Sequence, residues 1–137
     1  MKKQILIFFL IASVLLAGCQ SKSVGGETID VVGGSYQNVT PDDLNTMLKD
    51  KDFVFINVHT PFAGNIAGTD LSIPYDQIEQ NLAQLPSDKN AKIVLYCRSG
   101  RMSAIAAEKL VLLGYTNIWN LDGGMVDWEH AGYEIEK

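Results

Sequence analysis

The chain has 137 residues, 47% of them hydrophobic and 20% charged, which is the size and composition of one globular domain rather than two. Its formal net charge is −5, and without Lys2 and Lys3 the count becomes 9 basic against 16 acidic residues. Such an acidic chain makes nucleic acid an improbable partner. The two arginines, Arg98 and Arg101, flank one glycine, which indicates a local anion site.

The N-terminus has the layout of a secretory signal. Lys2 and Lys3 precede an apolar run that starts at Ile5, and this run is shorter than the roughly 20 residues of a spanning helix. Its end, Leu16-Ala17-Gly18-Cys19, resembles the bacterial lipobox, in which the cysteine is lipidated. We therefore predict a signal peptide over residues 1–18, a lipid on Cys19, and a location on the periplasmic or extracellular side of a membrane in the cell envelope. An uncleaved apolar anchor is the alternative.

Residues 19–35 contain serine and glycine pairs without an apolar period, so they predict a flexible tether before a domain at residues 36–137. In that domain Thr40 and Pro41 are typical of a helix start, and the helix should run to about Asp50. Residues 53–58 are β-branched or aromatic apart from Asn57, the pattern of a buried strand.

The second half of the chain repeats this alternation of strand and helix. Residues 75–85 have apolar positions at helical spacing before Pro86, and residues 101–113 form a second helix pattern closed by Gly114. Buried strands are predicted at residues 92–96 and 117–121, followed by a last short helix that contains His130. The alternation predicts a single α/β domain with an open parallel sheet and helices on both faces.

Cys97 follows the strand predicted at residues 92–96, and it therefore lies at the edge of a parallel sheet where ligands bind. The next helix points its N-terminus at Cys97, and Gly100 allows the intervening N–H groups to turn inward around one point. This field favours thiolate over thiol and makes Cys97 a candidate nucleophile. If Cys19 is lipidated, Cys97 has no disulfide partner in the chain, although a buried inert cysteine remains the plain alternative.

Two motifs resemble the signatures of the rhodanese family, and the resemblance covers roughly residues 36–136. The first is Leu95-Tyr96-Cys97-Arg98-Ser99-Gly100-Arg101-Met102-Ser103-Ala104. The second is Asn120-Leu121-Asp122-Gly123-Gly124-Met125-Val126-Asp127-Trp128. The resemblance implies a catalytic Cys97 that takes sulfane sulfur from a small anion such as thiosulfate and passes it to cyanide or a thiol. It also implies the following substrate-binding residues: Arg98, Ser99, Gly100, Arg101, Met102 and Ser103.

The chain departs from the family pattern at the end of its first predicted strand. Asn57-Val58-His59 stands where the family usually has Asp-Val-Arg, and Gly64-Asn65-Ile66-Ala67-Gly68 stands where Gly-His-Ile-Pro-Gly is usual. These departures put substrate preference in question more than the chemistry. His59 could be an active-site base or a structural residue. No metal or other cofactor is expected, because the histidines lack ligand spacing with Cys97.

Two other functions occur with a cysteine loop of this kind. A cysteine phosphatase needs an arginine six positions after the cysteine, and this chain has Ser103 there, so that chemistry is disfavoured. A rhodanese-like module that binds a partner without turnover is the sharper rival, because the same fold supports both.

Overall fold

A computed structural model describes residues 24–137 of the chain. The predicted signal peptide and Cys19 lie outside the described residues. Within residues 24–137, no helix is long and apolar enough to cross a membrane. The elements are β1 (Glu27–Val31), β2 (Gly34–Val39), α1 (Pro41–Lys49), β3 (Val54–Asn57), β4 (Leu71–Ser72), 3₁₀ segments Tyr75–Gln77 and Glu79–Gln84, β5 (Ile93–Tyr96), α2 (Arg101–Leu112), β6 (Ile118–Leu121) and α3 (Gly124–His130).

The six strands form one sheet in the order β1-β2-β6-β5-β3-β4. All neighbouring pairs are parallel except β1 with β2, so the predicted open, mostly parallel α/β sheet is confirmed. β5 lies near the centre and is buried at all four positions. Because β2, β3, β5 and β6 run the same way, their carboxyl ends meet at one edge, and Cys97 follows β5 there.

Helices cover both faces of the sheet, as predicted. Alternate residues of β5 point to opposite faces. Ile93 and Leu95 join the core beneath α2, whereas Val94 and Tyr96 join the core beneath α1 and α3. Cys97 continues the first of these two series and therefore lies on the α2 side of the sheet.

The predicted tether is wrong for residues 27–35. These residues form β1, the turn at Val32 and Gly33, and the first two residues of β2, in register from Glu27 opposite Asn38 to Val31 opposite Gly34. Ile29 and Val31 pack partly against the α2-side core, and this period-two pattern is the physical reason for a strand. The flanking glycine pairs hid that pattern in the sequence.

The predicted helix over residues 75–85 is also wrong in detail. Two 3₁₀ segments replace it, and the break falls at Asn81, whose φ and ψ of −113° and 19° are not helical. Its peptide N–H donates to the carbonyl of Ile78, three residues back, and its side chain donates to the carbonyl of Gln77. Asparagine competes for backbone hydrogen bonds in this way and interrupts an α-helix. Ile78 and Leu85 are nevertheless buried, so the apolar face was predicted correctly.

Removing β1 should destabilise the domain. A chain that begins at Gly34 is expected to unfold with a free energy about 2 kcal/mol lower than one that begins at Val24, since half-buried Ile29 and Val31 lose their contacts. Urea unfolding followed by circular dichroism measures this difference. Val32→Ala, at a side chain that is 79% exposed in the same hairpin, is the matched control and should change stability by less than about 0.5 kcal/mol. Equal stability of the two chains would mean that β1 contributes nothing to the stability of the domain.

Candidate active site

Cys97 is buried directly after β5, with 1% of its surface exposed. Its Sγ accepts a hydrogen bond from the Gly100 N–H at 3.1 Å. The Ser103 hydroxyl lies 3.4 Å from the same sulfur and 3.2 Å from the carbonyl oxygen of Gly100. One hydroxyl hydrogen can serve one of these acceptors at a time, so Ser103 is able to give its hydrogen to the sulfur when the sulfur gains charge.

The loop between β5 and α2 turns sharply at Gly100, which has a φ of +91° and caps the N-terminus of α2. The left-handed conformation favours glycine, and it brings the peptide N–H back toward the sulfur three residues earlier. α2 continues for 12 residues from Arg101. Its unpaired N-terminal N–H groups and its dipole favour negative charge beside Cys97.

The N-terminus of α3 holds the other side of this loop. Met125 N–H donates to the carbonyl oxygen of Cys97 at 2.9 Å, and Val126 N–H donates to that of Arg98 at 2.9 Å. In a trans peptide the carbonyl and the following N–H point in opposite directions. Fixing these two carbonyls on α3 therefore turns the N–H groups of Arg98 and Ser99 toward the opposite side of the loop.

The paired glycines allow this contact. Gly124 has a φ of +59°, and a Cβ there would lie 2.7 Å from the carbonyl carbon of Arg98 and also against the carbonyl oxygen of Cys97. A Cβ on Gly100 would approach the backbone nitrogen of Gly123 to 3.2 Å. The two sequence motifs thus meet backbone to backbone, and side chains at these positions would push them apart.

A polar network that the sequence analysis did not identify supports the site from the other face. The Tyr96 hydroxyl accepts the N–H of Ile66 at 3.0 Å and lies 2.7 Å from the hydroxyl of Thr69. Burial is the main cause that raises the pKa of Tyr96 above its usual 10.0. These hydrogen bonds connect the loop that follows β3 to Tyr96, the residue that precedes Cys97. Its sequence signal is a tyrosine at the end of an otherwise aliphatic strand.

Asn57, at the end of β3, organises the start of the same loop. Its Nδ2 donates to the carbonyl of Gly64 and to Asn65 Oδ1, both at 2.9 Å, while its Oδ1 accepts the peptide N–H of His59 at 2.9 Å. Asn57 is buried, with 1% of its surface exposed. Asn57 departs from the family pattern, and both its amide nitrogen and its amide oxygen form hydrogen bonds. One of these bonds holds the backbone of His59, which departs from the family pattern as well.

A pocket of about 190 Å³ opens above the sulfur. Four predicted substrate-binding residues line it, whereas Gly100 and Ser103 contact the sulfur from below. Within the described residues, no carboxylate forms a salt bridge with either guanidinium group. Tyr75 and Ile105 were missed in the sequence. The lining consists of His59, Tyr75, Cys97, Arg98, Ser99, Arg101, Met102 and Ile105.

His59 belongs to this pocket, and its Nδ1 is buried without a hydrogen-bond partner. Burial lowers the pKa of the imidazole below its usual 6.5, and the positive charge of Arg98 lowers it further. The ring is therefore neutral at neutral pH. In the part of the chain that the structure describes, no three His, Cys, Asp or Glu side chains gather closely enough to hold a metal ion.

Comparisons with known proteins agree with this geometry. Residues 40–131 match the rhodanese-like domain family. A sulfurtransferase of Allochromatium vinosum is 30% identical over 100 residues, covering 71% of this chain and 92% of that protein. A tRNA uridine(34) hydroxylase of Erwinia tasmaniensis is 29% identical, but the match spans 28% of its length. The structure of a rhodanese-like domain protein from Staphylococcus aureus superposes with a TM-score of 0.60 at 32% identity, covering 73% of this chain and 98% of that one.

Gly124→Ala should disrupt the site, because its Cβ collides with the backbone of Cys97 and Arg98. We expect a loss of about 3 kcal/mol or more of stability, or a displaced loop in which Cys97 alkylates at a changed rate. Gly132→Ala is the matched control, because Gly132 has a φ of +92° but open space around a Cβ. It should cost only the conformational strain, about 1 kcal/mol. Identical behaviour of the two variants in thermal unfolding and in iodoacetamide alkylation would contradict the docking argument.

Proposed function

The chain belongs to the rhodanese-like domain family, and on that premise we propose that it is a sulfurtransferase that carries sulfur as a persulfide on Cys97. The proposal depends on the groups that surround Sγ of Cys97. A buried sulfur accepts a backbone N–H, faces a hydroxyl and lies under a pocket with two guanidinium groups that form no salt bridge within residues 24–137. Such surroundings stabilise a thiolate and attract an anionic sulfur donor.

In the first half-reaction the Cys97 thiolate attacks the outer sulfur of thiosulfate. The new bond joins Sγ to that sulfur, the sulfur–sulfur bond of thiosulfate breaks, and its electron pair leaves with sulfite. Cys97 is then a persulfide whose negative charge lies on the terminal sulfur. Charge on this sulfur is stabilised by the dipole of α2 and by the N–H groups of Arg98 and Ser99. These N–H groups point away from α3, because α3 binds the carbonyl oxygens of the same peptide groups.

In the second half-reaction a thiophilic acceptor attacks the terminal sulfur from the pocket. The bond between that sulfur and Sγ breaks, and Cys97 leaves as the thiolate. The Gly100 N–H, 3.1 Å from Sγ, is already in place to stabilise the returning charge. The site therefore stabilises negative charge at both positions between which it moves in the cycle.

Ser103 separates this proposal from phosphate-ester chemistry. A cysteine phosphatase uses an arginine at this position to clamp a tetrahedral oxyanion. Here the side chain is a buried serine that contacts the sulfur itself, and the first helical turn offers no guanidinium at that position. A module that binds without turnover differs from an enzyme only in whether Cys97 takes up sulfur, so that uptake is the decisive measurement.

We further propose that the domain is exported and held at a membrane by lipid on Cys19. The support lies in the sequence: a basic start, an apolar run and Leu16-Ala17-Gly18-Cys19. The physiological donor and acceptor would then be sulfur compounds or thiols of the cell envelope, with thiosulfate and cyanide serving as assay substrates.

Cys97 should gain the mass of one sulfur, roughly 32 Da, when the protein is incubated with thiosulfate alone, as a covalent intermediate requires. Cyanide or a thiol should remove it, with double-displacement kinetics. Cys97→Ser should keep the fold, yet lose both the adduct and turnover, because a hydroxyl stays protonated and forms no persulfide. Intact-protein mass spectrometry makes the measurement. Unmodified wild-type protein after treatment with thiosulfate, polysulfide and glutathione persulfide would favour the binding module.

Cys19→Ala should abolish lipid incorporation in bacterial cells and move the protein from the detergent phase to the aqueous phase on Triton X-114 partitioning. Thermal unfolding of the domain should not change, because residue 19 precedes the first described element, β1. A chain that starts at Val24 supplies the fully aqueous control. Retention of the Cys19→Ala variant in the detergent phase would mean that the apolar run itself is the anchor.

A further inference from the structure

The half-reactions give no role to His59, although its side chain carries the only imidazole among the residues that line the pocket in the described part of the chain. His59 lines the same cavity as Cys97, Arg98 and Arg101. It is the second residue after β3, and its peptide N–H donates to the side chain of Asn57. A side chain fixed in this way faces whatever enters the cavity, so its hydrogen-bonding state bears on what the cavity accepts.

The two ring nitrogens of His59 have different surroundings. Nδ1 is buried and has no hydrogen-bond partner. Because the ring lines the cavity and Nδ1 is the buried nitrogen, Nε2 is the nitrogen available to a ligand. Either neutral tautomer leaves Nδ1 unpaired, so the protein itself has no strong preference for one tautomer. An anion in the cavity selects the tautomer that carries its hydrogen on Nε2.

The charged form of the ring is the unfavourable one. An imidazolium would bury a charged Nδ1–H without an acceptor and would lie beside Arg98. Among residues 24–137, no carboxylate lines the cavity to offset this cost. The other titratable or charged groups of the lining are Tyr75, Cys97, Arg98 and Arg101. The neighbour that holds the His59 backbone, Asn57, is a neutral amide.

We propose that His59 is a substrate-binding residue that recognises anionic sulfur donors as a neutral hydrogen-bond donor, through Nε2–H, and does not act as a general base or as a third positive charge. This proposal rests on the sulfurtransferase function proposed above. A base would have to hold a proton on both nitrogens, and the buried Nδ1 has no acceptor for one. Among the described residues, the positive charge of the cavity then comes from Arg98 and Arg101, and the imidazole adds none at neutral pH.

The test is a pair of variants of similar size. Gln at position 59 keeps an N–H donor at about the reach of Nε2, whereas Leu removes it. His59→Leu should raise the KM for thiosulfate about tenfold, the effect of one charge-assisted hydrogen bond, with kcat within about twofold. His59→Gln should stay within about threefold of the wild type in both constants. The wild-type KM should not fall as the pH is lowered from about 8 to the ordinary histidine pKa of about 6.5, because neutral imidazole is the form that binds the donor.

Three kinetic results would overturn the proposal. If His59→Gln loses as much activity as His59→Leu, titration of the ring is required and His59 is a base. If the wild-type KM falls as the pH drops through the ordinary range of histidine, about 6.5, the imidazolium binds the donor. If both variants match the wild type, His59 does not contact the donor.

Spectroscopy of the ring gives a readout that a merely structural role would not move. Long-range ¹H–¹⁵N spectra of the Cys97→Ser variant, which binds without reacting, should show the Nε2–H tautomer of His59 growing as thiosulfate is added. His130 is the other histidine of the chain and lies exposed on α3, so it provides the internal comparison. A His59 signal that ignores thiosulfate overturns the proposal. Absence of any Cys97 adduct in the wild type is a different failure, because it removes the sulfurtransferase function itself.

Discussion

Two backbone hydrogen bonds, from Met125 and Val126 to the carbonyls of Cys97 and Arg98, are the constraint on which the site depends. They join segments that are far apart in the sequence and turn the peptide groups around the cysteine so that their N–H groups face away from α3. Without them, the loop after β5 would be free to present carbonyl oxygens to an incoming anion. The second motif thus works through the backbone of the first, and Gly124 is required because that contact leaves no room for a side chain.

The sheet supplies the rigid base for this arrangement. β5 is buried on both faces, and the strict alternation along it places Tyr96 on one side and Cys97 on the other. Tyr96 anchors the loop after β3 through its hydroxyl, while Cys97 projects under the N-terminus of α2. The end of one strand therefore holds both the loop after β3 and the sulfur of Cys97 in place.

Much of the fold could be predicted from local pattern alone. Apolar runs gave β3, β5 and β6 to within a residue or two, and the capping sequence around Thr40 gave α1. β1 was missed because its two inward residues lie between glycine pairs, and its strand character depends on pairing with β2. The helix over residues 75–85 failed because propensity does not reveal an asparagine that bonds to the backbone four residues earlier.

The candidate site likewise has one part that the sequence predicts and one part that depends on tertiary contacts. Cys97 and its loop are readable because one short segment carries them, whereas the network of Asn57 and Tyr96 spans up to 31 positions and exists only in three dimensions. His59 could not be assigned a state, since burial of Nδ1 is a tertiary property.

The packing of Val24 limits how far the domain can lie from the proposed lipid anchor. Val24 already packs against the core beneath α1 and α3, so only residues 20–23 separate Cys19 from the folded body. Five backbone steps reach at most about 18 Å, roughly half the width of a domain of this size. A lipid on Cys19 would keep the domain pressed close to the bilayer, and its partners would be met mainly by lateral diffusion. If the anchor is present, so short a connection would confine the domain to partners found within about one protein diameter of the lipid surface.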